Sequence, residues 1–115
     1  MKTEMRAQGE VSFRNVKRLP KGLLQHTQKD KKGRPIISHS ESGHHHVLDR
    51  AVEVLEHPKP PAGMRILYAL LDEPAALIQD APSAHGRHKL DAGIVEFRLA
   101  REYDPFEDQI HPVAD

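Results

Sequence analysis

The segment Ile94 to Arg101 sets Val95, Phe97 and Leu99 alternately with Glu96 and Arg98, and this period of two constrains the fold more than any other feature of the chain. On a strand, side chains two residues apart share a face; on a helix they lie about 200° apart. The pattern therefore specifies a long half-buried strand. The same alternation recurs between Gly9 and Val16, where Val11 and Phe13 flank Ser12 and precede Arg14. Pro35-Ile36-Ile37-Ser38-His39 and His46-Val47-Leu48-Asp49 read as short strands on either side of a glycine turn at Gly43. A further apolar run over Ala51 to Glu56 carries Val52, Val54 and Leu55. It stops at His57-Pro58-Lys59-Pro60-Pro61, where three prolines exclude continued pairing.

Met64 to Leu71 is open to two readings. Leu67, Ala69, Leu70 and Leu71 are good helix formers, but eight residues is a strand's length and the reading here is a strand. A shorter strand is expected over Ala75 to Ile78. Asp104 followed by Pro105 fits a helix start that Pro112 cuts short. The expected fold is mainly β: a small antiparallel β-barrel or β-sandwich with a short C-terminal helical turn. It forms one domain over residues 1–115, with 1–8 as an N-terminal arm and 104–115 as a tail.

With 17 Lys and Arg balancing 17 Asp and Glu, no global field draws the protein to nucleic acid or an anionic membrane. Lys29, Lys31, Lys32 and Arg34 form a local basic cluster with Asp30 and Gly33, and its composition is that of a solvated hairpin loop. The absence of cysteine removes disulfides, thiolate chemistry and Cys-based zinc sites, and suits a reducing cytoplasm. The polar N-terminus has no signal-peptide core, and no stretch approaches the roughly 20 apolar residues of a membrane span. A cytoplasmic, soluble protein without a membrane partner is expected.

Chemistry concentrates in His39-Ser40-Glu41-Ser42-Gly43-His44-His45-His46. Neutral imidazole and carboxylate are ligands that zinc, nickel, copper and non-haem iron accept. In extended backbone His44 and His46 project to one side and His45 to the other, the arrangement a chelating pair needs. Glu41 can fold back across Gly43 to add an oxygen, while His85 or His88 can join from a distant segment. The candidate ligand set is His44, His46, Glu41 and His85, for a divalent transition metal such as zinc, nickel, iron or manganese. Solvated loop histidines are the competing reading, and they describe His57 and His111, both near prolines. A third is a metal-free pH sensor, since nine histidines gain charge below about pH 6.5. His26 and His39 rank lower as ligands.

No P-loop, GxGxxG, GxSxG or HExxH motif is present, so nucleotide-binding and serine-hydrolase chemistries lack their signatures. Ser40 or Ser42 beside His44 lacks the strained elbow and oxyanion hole of a nucleophile. Arg101-Glu102-Tyr103-Asp104 reads as a structural segment after the last strand.

Ser42-Gly43-His44-His45-His46-Val47, then His85-Gly86, Leu90, Gly93 and Val95, then Arg101-Glu102-Tyr103-Asp104-Pro105 and a terminal Val113-Ala114-Asp115, resemble a family of small uncharacterised phage, prophage and bacterial proteins. Its recurrent motif is E-x-[ST]-G-H-x-H, followed by a C-terminal R-E-Y segment. The resemblance implies that His44 and His46 are the motif's chelating positions and Glu41 its acidic one, with Glu41 directly before Ser42 and so one residue closer to Gly43 than the motif places it. Asp91-Ala92-Gly93 departs from the proline-glycine turn frequent in that family. The H-x-H pair is also similar to half of a cupin motif, but Arg50 stands where the cupin glutamate is expected and Glu53 comes a few residues late. That likeness implies only a β-barrel or β-sandwich.

The expected role is metal-dependent binding or structure in a phage-related or bacterial setting, with a homo-oligomer or phage structural proteins as partners. One alternative is a virion structural or decoration protein whose arms order against neighbouring subunits. The other is a cupin-like metalloenzyme acting on a small molecule, for which four percent aromatic residues leave little to line a pocket.

Overall fold

A computed structural model describes residues 11–38, 45–79 and 87–100, together with the backbone of 6–8. Among these residues ten strands form two antiparallel sheets and there is no helix. The first sheet has six strands in the order β1 (Arg6–Gln8), β2 (Val11–Val16), β10 (Gly93–Ala100), β7 (Met64–Leu71), β6 (Glu53–Glu56) and β3 (Leu24–Gln25). The second has four: β4 (Ile36–Ser38), β5 (His46–Leu48), β8 (Ala75–Gln79) and β9 (Arg87–Leu90). The two open sheets make a sandwich, so of the two expected β architectures the closed barrel is not the one formed.

The alternation read from the sequence decides which side of each strand is buried. On β10, Val95, Phe97 and Leu99 meet Val11 and Phe13 of β2 and Leu67, Ala69 and Leu71 of β7 in the core. The four-stranded sheet answers from its own inward face with Ile37, Leu48, Ala75, Leu77 and Leu90. Aromatic packing reinforces the centre, where the Phe13 and Phe97 rings tilt at 47° with centroids 6.2 Å apart. Burying side chains of this size contributes about 1.5–3 kcal/mol each, which explains how a small cysteine-free chain holds two sheets together.

Met64 to Leu71 is a strand with the bounds expected of it, paired on one side with β10 and on the other with β6. Its pattern misleads because both of its faces carry buried residues: Leu67 and Ala69 face the core while Ile66 and Tyr68 are buried on the opposite face. The run expected from Ala51 is paired only from Glu53. Strands β3 and β9 were not expected. Arg6–Gln8, assigned from the sequence to the arm, pairs with β2 in register Arg6↔Phe13. The expected helical turn within 104–115 lies outside the described residues. No helix among the described residues is long and apolar enough to cross a membrane.

Candidate functional site

His46 opens β5 and is bracketed by Ser38 on β4 and Gln79 on β8. It shares the inward side of the sheet with Leu48, two residues on, and is only 8% exposed. His88 lies on the same inward face. On β9, two residues before Leu90, it pairs with Leu77 of β8, and its ring meets Phe13 edge-on at 5.7 Å. Strand β8 separates it from His46. His45 precedes β5 and is half-buried.

Glu41, His44 and His85 lie outside the described residues. Among those described, no three His, Asp or Glu side chains are grouped so as to hold a metal ion. The pairing nonetheless fixes where the two histidine-bearing connections begin and end. Ser38 pairs with His46, His46 with Gln79, and Ile78 with Arg87. The β4–β5 and β8–β9 connections therefore both start and finish at one end of the four-stranded sheet. Segments 39–45 and 80–86, which contain Glu41, His44 and His85, are those connections.

His26, ranked low as a ligand, has a definite place. Its amide donates to the Val54 carbonyl at 2.9 Å, so the backbone continues the pairing of β3 with β6. Its side chain, 2% exposed, sets Nε2 2.7 Å from the Ile36 carbonyl of β4 and Nδ1 3.4 Å from Oε1 of Glu56. Arg65 donates to both oxygens of Glu56, at 3.1 and 3.0 Å. Burial pushes the Glu56 carboxyl up, but the Arg65 and His26 contacts outweigh it and hold it below the ordinary glutamate range. The imidazole thus ties the six-stranded sheet to the four-stranded one. No sequence spacing marks it, since Leu24-Gln25-His26 looks like any polar loop entry. His57 accepts a bond from the Lys59 amide at 3.1 Å, shaping the turn that opens the proline stretch.

Glu96 is the second polar group that the sequence concealed. Oε1 accepts from Arg98 at 2.9 Å and Arg14 at 3.1 Å, and the Tyr68 hydroxyl donates to Oε2 at 3.1 Å. These groups occupy the side of the six-stranded sheet opposite Phe97. Two shallow depressions also open on the surface. One, of about 520 Å³, is lined by Val52, Leu70 and Ile94 with the carboxylates of Glu53 and Asp72. The other, of about 310 Å³, holds Arg50, Arg87 and Lys89 around Asp49, which accepts from Arg87 at 2.8 Å.

Fold and site together define an antiparallel two-sheet β domain with histidine-bearing connections gathered at one sheet end. The chain belongs to the family described as Domain of unknown function (DUF8820), whose model matches residues 7–101. The expectation of an uncharacterised family is met at that level. No curated protein and no solved structure gives a significant match.

Proposed function

We propose that this protein is a transition-metal-binding β domain with a binding or structural role, holding zinc, nickel, iron or manganese through His44 and His46, with Glu41 and His85 completing the set. The observation that carries the reading is the shared sheet end: the pairings of Ser38, His46, Gln79 and Arg87 bring the bases of both histidine-bearing connections together. A three- or four-ligand site needs ligands from more than one segment, and this topology starts and ends both histidine-bearing segments at the same sheet end. The buried position of His46 adds a rigid anchor, since a ligand on a strand is better placed than one on a loop. A phage-related or bacterial setting, in host cytoplasm or virion, belongs to the same proposal and is supported by the Glu41 to His46 motif resemblance.

Metal content of untagged protein, measured by plasma mass spectrometry, is the direct test. Wild type is expected to carry about one metal per chain, and His44→Ala/His46→Ala to lose most of it. Because His46 is buried, His44→Ala and Glu41→Gln are measured beside it, with circular dichroism to confirm folding. Loss of an imidazole or carboxylate ligand is expected to weaken binding by at least the 10–100-fold typical of lost supporting partners. Imidazole must be neutral to bind, so metal is also expected to leave as the pH falls below about 6.5. Wild type that stays metal-free after reconstitution overturns the reading.

A further inference from the structure

The chain is neutral as a whole, yet its charges are segregated. From Lys17 to Arg34 seven Lys and Arg face one carboxylate, Asp30, whereas from Arg101 onward Glu102, Asp104, Glu107, Asp108 and Asp115 face a single Arg101. Lys17, Arg18, Lys21, Lys29, Lys31 and Lys32 are all exposed, and no carboxylate among the described residues pairs with them. Asp30 is occupied within its own turn: Oδ1 accepts the Lys32 and Arg34 amides at 2.9 Å and Oδ2 accepts Arg34 Nε at 2.7 Å. Gly33, at φ +78°, closes that turn. The three lysines of the turn are therefore displayed without a local counter-charge.

The strand register sets the basic residues and the end of β10, from which the acidic segment leaves, at opposite ends of the sheet. Val16 pairs with Ile94, so Lys17 and Arg18 emerge where β10 begins. The bond from the His26 amide to Val54 directs the chain leaving β3 toward that same end, which Glu53↔Leu70 and Leu70↔Ile94 define. Strand β10 finishes opposite Met64 at the other end, and the acidic segment follows from there. Six residue steps separate Ile94 from Ala100, about 20 Å along the strand. Glu102 and Asp104 reach at most about 7 and 14 Å from Ala100 even fully extended. Glu102, the first carboxylate of the segment, therefore falls short of the basic end of its own chain even when extended.

We propose that the acidic segment 101–115 of one copy docks on the basic end of a second copy, formed by Lys17, Arg18, Lys21 and the turn lysines 29, 31 and 32. Such a contact joins unlike surfaces, head to tail, and propagates into a ring or a filament. Nucleic acid is the less suited occupant, because 17–34 contains no Phe, Tyr or Trp for base stacking and the neutral total gives no long-range attraction.

The test is sedimentation equilibrium of the full chain with EDTA present, so that metal bridging does not contribute. In about 20 mM salt the mean mass is expected to exceed the 13.0 kDa of one chain and to return to it in about 0.5 M salt, where screening shortens charge interactions to a few ångström. Lys29→Glu/Lys31→Glu/Lys32→Glu and Glu102→Lys/Asp104→Lys/Glu107→Lys are each expected to be monomeric in low salt, and their equimolar mixture to associate. A monomeric wild type in low salt overturns the proposal, as does association that survives high salt or a mixture that stays monomeric. Duplex DNA bound by wild type and lost in the lysine variant, with self-association unchanged, assigns the surface to a polyanion instead.

Discussion

Replacing His26 with alanine is expected to lower the unfolding free energy by about 3 kcal/mol, enough to consume a large share of a small domain's stability. Two losses add. The imidazole is 2% exposed, so its removal leaves a cavity where the edge of the six-stranded sheet approaches β4. The Ile36 carbonyl also loses its 2.7 Å partner, and withdrawing the donor from a buried acceptor costs about 1–3 kcal/mol. His26→Gln retains a donor that can reach Ile36, and it is expected to restore roughly half of the loss. Chemical denaturation of the three proteins gives the comparison. An alanine variant within about 0.5 kcal/mol of wild type shows that the imidazole does not join the sheets. The substitution also separates fold from metal: His26 has no ligand role in the proposed site, so metal stoichiometry is expected to persist in folded His26→Gln.

The elements that could be read from sequence are those with one dry face and one wet one. Val95, Phe97 and Leu99 alternate cleanly, and β10 follows almost residue for residue from Gly93 to Ala100. Strand β9 was hidden because its inward positions are His88 and Leu90 rather than two apolar residues, so Arg87 to Leu90 reads as polar loop. The two-residue β3 is too short to carry any period. Glu96 illustrates a different limit. Alternation correctly places it on the face away from Phe97, but it does not follow that the face is wet, since Arg14 and Tyr68 close over the carboxylate from the two neighbouring strands. Cross-strand partners depend on register, and register is not written in either strand alone. The histidine motif was visible as composition, and His46 is indeed strand-borne, but the approach of segments 39–45 and 80–86 to one sheet end follows only from the β4-β5-β8-β9 order.

Truncating Glu96 to alanine is expected to cost about 2–3 kcal/mol. The carboxylate side chain is 7% exposed and anchors two guanidinium groups, which without it stand side by side with like charge. The figure sits below the 3–5 kcal/mol of a fully buried pair because Arg14 and Arg98 are each about a third exposed and water screens them. Glu96→Gln keeps an acceptor for the Tyr68 hydroxyl and loses only the charge, so about 1–2 kcal/mol is expected. Acid distinguishes this electrostatic account from simple packing. Burial pushes the Glu96 carboxyl up, but Arg98, Arg14 and the Tyr68 hydroxyl outweigh it, and the group titrates below the ordinary glutamate range. A depressed pKa in the folded state contributes stability above the unfolded value, and that contribution is lost as the pH falls through the folded one. Urea denaturation at neutral pH and at successively lower pH is therefore expected to show the gap between wild type and Glu96→Gln closing on acidification. A gap that stays constant into the acid range assigns the loss to shape rather than charge. Tyr68 supplies the complementary reading at high pH. Burial and the adjacent Glu96 carboxylate push its hydroxyl above the ordinary tyrosine range, so its stabilising contribution is present below that range and lost as the pH rises through the folded value. Glu96→Gln removes the negative neighbour and leaves burial, so tyrosinate formation is expected at lower pH in that variant than in wild type.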